Sequence, residues 1–318
     1  MMFGDFHRPV ALAGAGGYLG DAVLGQIAAR RPGATVRVLD VRPPAPVAGL
    51  DLEHVQGSPA DPQALDLLMR GAGAAVHLGV RTRRVHPRRS PDGEGVAMTA
   101  FVAAATAQAV PHLLYCSSGE VYGEGARRAL TEDDPVVAHS PLARLQIRSE
   151  SLVREFAETE GRSATVLRPF GTYGAGQPTG SLIGRFLHDA RLGLPLAVPG
   201  DGTQLRAFTY VDDVARGIVA ALCRDDRGRE PYTVYNLASP EIFSLRDLAR
   251  QVLSVTGGRG GIVLQPRHLR PGQVAAQVPC IEKAAEELGF YATTLLTQGL
   301  SLCSLHADLA AERHSAVA

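Results

Sequence analysis

The strongest constraint on the fold is an alternation of short apolar runs with longer helical patterns. PVALAG, YLGDAVLGQIAARR, TVRVLD, ADPQALDLLMR, AAVHLGV, GVAMTAFVAAATAQAV and HLLYCSS follow one another in that order. Such runs read as strands buried on both faces, and strands separated by helical patterns pair in parallel beneath covering helices. SATVLRPF continues the series. At 318 residues, 45% hydrophobic and 20% charged, the chain has enough apolar material for such a core. The predicted class is α/β, a doubly wound parallel sheet.

From Gly171 onward glycine and proline become frequent (GTYGAGQPTG, LGLPLAVPGDGTQ), which predicts a loop-rich second lobe. FTYVDDVARGIVAAL and YTVYNLAS read as a helix and a strand that return to the first lobe. The expected division is residues 1–172 with 208–238 as a nucleotide-binding domain, and 173–207 with 239–318 as a smaller substrate-binding lobe. Asp212 and Asp213 are expected to cap or position a helix, and the final HADLAAERHSAVA reads as a fraying tail.

AGAGGYLG lies between the first strand and the first helix. Gly14, Gly17 and Gly20 there permit a tight turn, bring backbone N–H groups close to a pyrophosphate and let the helix pack on the strand. A glycine-rich turn alone also suits any tight strand–helix junction. Asp40 adds to it: twenty positions after Gly20, it ends the second strand, where a carboxylate accepts both hydroxyls of an adenosine ribose and repels a 2′-phosphate. The pattern predicts a Rossmann-type site for NAD rather than NADP, with Arg42 two residues on as a group that could accept a phosphate. Tyr18, Leu19, His77 and Leu78 complete the expected cofactor contacts, the histidine side chain itself suiting a core role better than a catalytic one.

Thirty-two basic residues balance thirty-two acidic ones, so no overall field draws the protein to nucleic acid or an anionic membrane, and any anion site must be local. Of the basic residues only Lys283 is a lysine. Cys116, Cys223, Cys280 and Cys303 are too scattered for a zinc site or a disulfide framework. No apolar run reaches the roughly 18 residues of a membrane span and no leader pattern opens the sequence, so a cytoplasmic protein is expected.

In order and spacing, AGAGGYLG, VLD, AVHLGV, YCSSGEVYG, LRPFGTYG, GDGTQLRAFTYVDDVA, RPG and EKAAEELGF resemble the extended short-chain dehydrogenase/reductases, in particular the NAD-dependent epimerase/dehydratase family acting on nucleotide sugars. The resemblance runs from about Pro9 to about Leu300. It implies that Ser118 hydrogen-bonds the reacting sugar oxygen, that Glu120 matches an acid used by family dehydratases and decarboxylases, and that Arg206 and Arg270 hold the nucleotide diphosphate. It also implies a homodimer through a helix pair that includes HSPLARLQIRSE.

The resemblance fails where the chemistry is centred. Family members place a tyrosine four positions before a lysine, one helical turn apart, so that the ammonium lowers the phenol pKa and the phenolate takes the sugar hydroxyl proton. Aligned on Ser140 and Pro141, those positions are Leu142 and Gln146, and no tyrosine lies between Tyr122 and Tyr173. Gly171 replaces the asparagine of the R-P-F-N-x-Y-G phrase, Ser58 an aspartate after the third strand and Asp92 an asparagine of a later helix.

Three functions follow from this combination. The first is a redox or redox-masked enzyme on a nucleotide-linked sugar or related carbinol or ketone, its proton carried by Glu120, by Ser118 through water, or by His139, which titrates near neutrality. The second is a non-redox lyase or isomerase using Glu120 with structural nucleotide. The third is an inactive cofactor-binding pseudoenzyme.

Overall fold

The computed structural model describes residues 8–79, 92–123, 128–159, 161–224, 230–265 and 276–315. In chain order the described strands are β1 (Val10–Ala13), β2 (Ala34–Asp40), β3 (Leu50–Gln56), β4 (Ala74–His77), β5 (His112–Cys116), β6 (Ser163–Pro169), β7 (Leu196–Pro199), β8 (Leu205–Ala207), β9 (Tyr232–Leu237), β10 (Ile242–Ser244), β11 (Ile262–Gln265) and β12 (Ala276–Gln277). The helices are α1 (Tyr18–Arg30), α2 (Pro62–Met69), α3 (Asp92–Ala107), α4 (Pro141–Ala157), α5 (Leu182–Arg191), α6 (Val211–Leu222), α7 (Leu245–Thr256), α8 (Glu282–Leu288) and α9 (Leu296–Ser315).

Seven described strands form one parallel sheet in the order β3-β2-β1-β4-β5-β6-β9. Helices α1 and α6 cover one face through Val23, Leu24, Ile27, Val214 and Ile218, and α2, α3 and α4 cover the other through Leu65, Leu68, Phe101, Val153 and Phe156. This is the doubly wound Rossmann-type architecture the apolar runs predict, because β1, β4, β5 and β6 are buried along their whole length. Strand β3 escapes the apolar pattern because it is the outer strand and mostly exposed. The strand order reverses between β1 and β4, which opens a crevice at their carboxyl ends.

Strands β8, β10 and β12 form a small sheet and β7 pairs with β11; α5, α7 and α9 pack around them through Phe186, Leu248, Val252 and Leu300. Two expectations are corrected here. The EKAAEELGF segment, placed with this lobe, instead packs α8 beneath the large sheet through Ala284 and Phe290, since its apolar residues match the face left open by β9 and α6. The residues read as a fraying tail continue α9 to Ser315, tied down by Arg191, which pairs with Asp308 and donates to Ser304. Of the two roles expected for Asp213, capping or positioning a helix, the second holds: the N-cap of α6 is Tyr210, and the fully buried Asp213 accepts the N–H groups of Thr293 and Thr294 and pairs with Arg216, fixing the entry to α9.

Below the carboxyl end of the sheet lies a buried ion pair. Arg168 of β6 meets Glu150 of α4 through two bonds, Nε to Oε1 at 3.1 Å and Nη2 to Oε2 at 2.6 Å. Ser117 donates to the same Oε1 at 2.6 Å, and Arg168 Nη1 donates to the Tyr122 hydroxyl, which donates in turn to Asn236 of β9. Removing one partner strands the other charge in the core. Arg168→Met is therefore expected to cost roughly 3–5 kcal/mol in chemical denaturation, and the double variant with Glu150→Met to recover much of it. Equal stability of the two variants would argue against the pair as the source of the loss.

His77 is a core residue, packed edge-on against Phe101 with ring centroids 5.0 Å apart. Its Nδ1 accepts the Gly79 N–H at 3.1 Å, and burial pushes its pKa down to about 4 from 6.5. A base whose folded pKa lies below its unfolded value stabilises the fold fully above the unfolded value and loses that contribution as pH falls toward the folded one. Between about pH 6.5 and 4 this histidine should cost on the order of 3 kcal/mol of stability. His77→Phe should flatten that part of the stability–pH curve, and an unchanged slope would locate the acid sensitivity elsewhere.

Candidate active site

The crevice at the switch point is a cleft of about 600 Å³. On one side it is lined by Gly14, Gly17, Tyr18, Leu19 and Gly20, the cofactor contacts expected from the sequence. Gly14 has φ +84°, a left-handed turn that glycine adopts without strain. A side-chain carbon on Gly20 would collide with the Ala15 carbonyl, so this glycine lets α1 close onto β1, while one on Gly17 would stand in open space. Gly17 is also the N-cap of α1 and has no side-chain cap, leaving first-turn N–H groups for an anion. These residues fit a dinucleotide pyrophosphate.

Asp40 ends β2, its Oδ1 accepting the Arg42 N–H at 3.2 Å; Arg42 lines the cleft and Asp40 is not among its lining residues. Leu78 and Gly79 line it beyond β4. The side chain of His77 does not, which corrects its expected cofactor contact: alternation along β4 turns it into the core, and only the backbone beyond it reaches the cleft.

The opposite wall begins where β5 ends. Cys116, Ser117, Ser118 and Glu120 line the cleft in turn. Ser118 caps the 3-10 turn Gly119–Tyr122, its Oγ accepting the Glu120 N–H at 3.1 Å, so its own proton remains able to point into the cleft. Glu120 is half exposed and faces His139, with Nε2 to Oε2 at 3.7 Å. His139 Nδ1 lies 3.1 Å from the Val137 carbonyl, and a carbonyl can only accept, so Nδ1 carries a proton and Nε2 is the nitrogen turned toward Glu120. Glu120 is thus in contact with both Ser118, through its N–H, and His139, through its carboxylate.

Ser140 caps α4 through the Ala143 N–H and Pro141 occupies its first turn, which projects Leu142 and Gln146 into the same cleft. Neither can titrate. Tyr18 donates to the Thr172 carbonyl at 3.2 Å and burial pushes its phenol up to about 12; burial raises Tyr122 likewise to about 12. Neither is a phenolate at neutral pH.

A second pocket of about 250 Å³ opens into the smaller lobe, lined by Arg206, Phe208, Leu182, Leu245, Gln277 and Phe170. Glu120 and Gly171 line both cavities and so mark their junction. Burial lowers the Arg206 pKa, opposed by the Glu120 carboxylate across the pocket; the guanidinium stays charged. Gly171 has φ +53°, and a side-chain carbon there would strike the Ala207 carbonyl, so β8 occupies the space an asparagine would need. Arg270 lies outside the described residues.

Sequence reasoning missed Gln277, Gly119 and the support of Ser117 by Glu150. Gln277 reaches the acid-bearing turn from a distant strand, and Gly119 is required only because Phe170 packs where its side chain would be. The run Cys-Ser-Ser-Gly carries no signal of either contact.

The same arrangement of sheet, cleft and second lobe recurs in known proteins. The chain superposes on a solved structure described as MoeE5 in complex with UDP-glucuronic acid and NAD with a TM-score of 0.82 and 27% identity, over 95% of this chain and 99% of that one. It is 27% identical over 307 residues to the dTDP-glucose 4,6-dehydratase of Streptomyces antibioticus, 91% of this chain and 89% of the relative. A shorter stretch of 149 residues, 47% of each protein, is 31% identical to the low-salt glycan biosynthesis protein Agl12 of Haloferax volcanii. No helix among the described residues is long and apolar enough to cross a membrane. A family model matches residues 10–238, which hold the whole parallel sheet and both walls of the cleft, and the chain belongs to the NAD dependent epimerase/dehydratase family of enzymes.

Proposed function

We propose that this protein is an NAD-dependent enzyme acting on a nucleotide-linked sugar or a related carbinol or ketone, with Glu120 and His139 carrying the proton that a tyrosine carries elsewhere. The observation behind this reading is the position of Glu120 at the junction of the two cavities, 3.7 Å from His139. Relatives of this chain are named for dTDP-glucose and UDP-glucuronic acid, which share a sugar on a nucleoside diphosphate. In the smaller lobe, Arg206 suits phosphate oxygens, and the apolar Phe208, Leu182 and Leu245 suit a base or sugar face.

Gly14, Gly17 and Gly20 would hold the cofactor pyrophosphate, and Asp40 the adenosine ribose, which favours NAD over NADP. Bound there, NAD supplies a hydride acceptor. Ser118 would donate a hydrogen bond to the reacting sugar oxygen and keep its proton. As hydride leaves the carbinol carbon, the Glu120 carboxylate takes the hydroxyl proton, and His139 Nε2 receives it from Glu120 and can return it. Reduction of a ketone runs the same path backwards.

Denaturing the purified protein and quantifying released nucleotide by mass spectrometry should give near-stoichiometric NAD or NADH. If none is released and neither NAD nor NADP binds, the redox reading is lost. In a screen of nucleotide sugars followed by nicotinamide absorbance, Glu120→Gln should lower kcat by roughly 10²–10⁴-fold, the usual contribution of a positioned acid or base. His139→Gln should lower kcat by less than Glu120→Gln does, since it removes the neighbour that relays the proton and leaves the carboxylate in place. Full turnover in Glu120→Gln would assign the proton to another group, and no turnover in any form would favour the pseudoenzyme.

A further inference from the structure

The turn that carries Glu120 is bounded by Gly119 and Gly123. Between them Val121 and Tyr122 are buried and the Tyr122 hydroxyl is held by Arg168 and Asn236, but the two glycines have no side chain of their own, so the ends of the turn are set from outside. One anchor is Phe170, against which Gly119 packs. The other is Gln277: its Nε2 donates to the Gly123 carbonyl at 3.0 Å and reaches the Gly119 carbonyl at 3.4 Å, spanning both ends of the turn. Gln277 is only 3% exposed and comes from the smaller lobe.

Its place in that lobe gives the contact a meaning beyond packing. Strand β12 pairs in parallel with β8, and the register partner of Gln277 is Arg206. Both side chains line the pocket that Glu120 also lines. Just beyond Gln277 the chain is tied to the larger lobe, where Leu130 donates to the Val278 carbonyl and accepts from the Cys280 N–H, each at 2.7 Å. A displacement of β8 therefore has a short path through paired backbone to one amide, and through that amide to Glu120.

We infer that Gln277 is a positioning residue that couples anion binding at Arg206 to the placement of Glu120; the coupling rests on the nucleotide-sugar reading of this pocket. An enzyme built so holds its acid through Gln277 before substrate arrives and holds it more firmly once the substrate diphosphate is seated.

Hydrogen–deuterium exchange on the full chain tests this, with UDP and dTDP as probes. Without a probe, amides of residues 119–123 should exchange about tenfold faster in Gln277→Met than in wild type, because the side chain keeps its bulk and loses its donors. UDP should slow those amides in wild type and not in the variant, while its affinity for the two differs by less than about threefold. In turnover, kcat should fall with KM for the nucleotide sugar nearly unchanged, and Gln277→Glu, which sets a carboxylate against two carbonyls, should be worse than methionine.

Equal exchange without a probe overturns the clamp. Equal UDP-induced protection in wild type and variant overturns the coupling and leaves the clamp. If neither UDP nor dTDP binds wild type, the reading of the pocket fails together with the coupling, and the probe-free comparison still decides the clamp. Should the variants fail to fold, the Gln277 side-chain amide resonance of labelled wild type decides: it must shift on UDP binding, and a fixed resonance overturns the inference.

Discussion

Glu150 and Arg168 are two opposite charges withdrawn from water at the point where α4, β5, β6 and β9 converge. Such a pair is tolerable only when both charges are fully engaged, and here two bonds join them while Ser117 and Tyr122 take up further bonding capacity. The pair fixes the angle of α4 against the sheet, and hence where Leu142 and Gln146 meet the cleft. Through Ser117 it also fixes the end of β5, and hence Ser118 and the turn beyond. Both walls of the reactive half of the cleft thus depend on one buried contact.

With that frame in place, the chemistry is decided by what faces the cleft. The helix position that would carry a phenol carries Leu142, and the tyrosines near the cleft are held protonated by burial. On the proposed reading, proton transfer falls to groups at the cavity junction, where Glu120 is half exposed and His139 turns Nε2 toward it. Glu120 itself is half exposed, and the turn beneath it is held by the buried Val121 and Tyr122 and, at its glycine ends, by Gln277.

Much of the fold was legible because it follows from periodicity. Strands buried on both faces leave uninterrupted apolar runs, and the glycines of AGAGGYLG sit where backbone geometry permits little else. Strand β3, exposed at the sheet edge, left no such run, and α9 looked like a tail because its contacts to Arg191 come from far along the chain. Within the site, Ser118, Glu120 and His139 were legible as neighbours of recognisable phrases, and Asp40 as the end of a strand. The cofactor contact expected of His77 fails, though the core role expected of its side chain holds, because contact depends on where a side chain points and local sequence does not fix that against distant partners.

The sequence by itself determined the α/β architecture, the glycine turn for a dinucleotide and the absence of a tyrosine and lysine from the start of α4, since each is a matter of residue identity at a given spacing. The tertiary structure decided that Glu120 stands between the two cavities facing His139, that Gly171 leaves room for the Ala207 carbonyl, and that Gln277 beside Arg206 holds the acid-bearing turn. These are contacts between segments as much as 158 residues apart. Only the packing of two lobes around one cleft brings them within hydrogen-bonding reach, and hydrogen bonds and steric contacts act over a few ångströms whatever the distance along the chain.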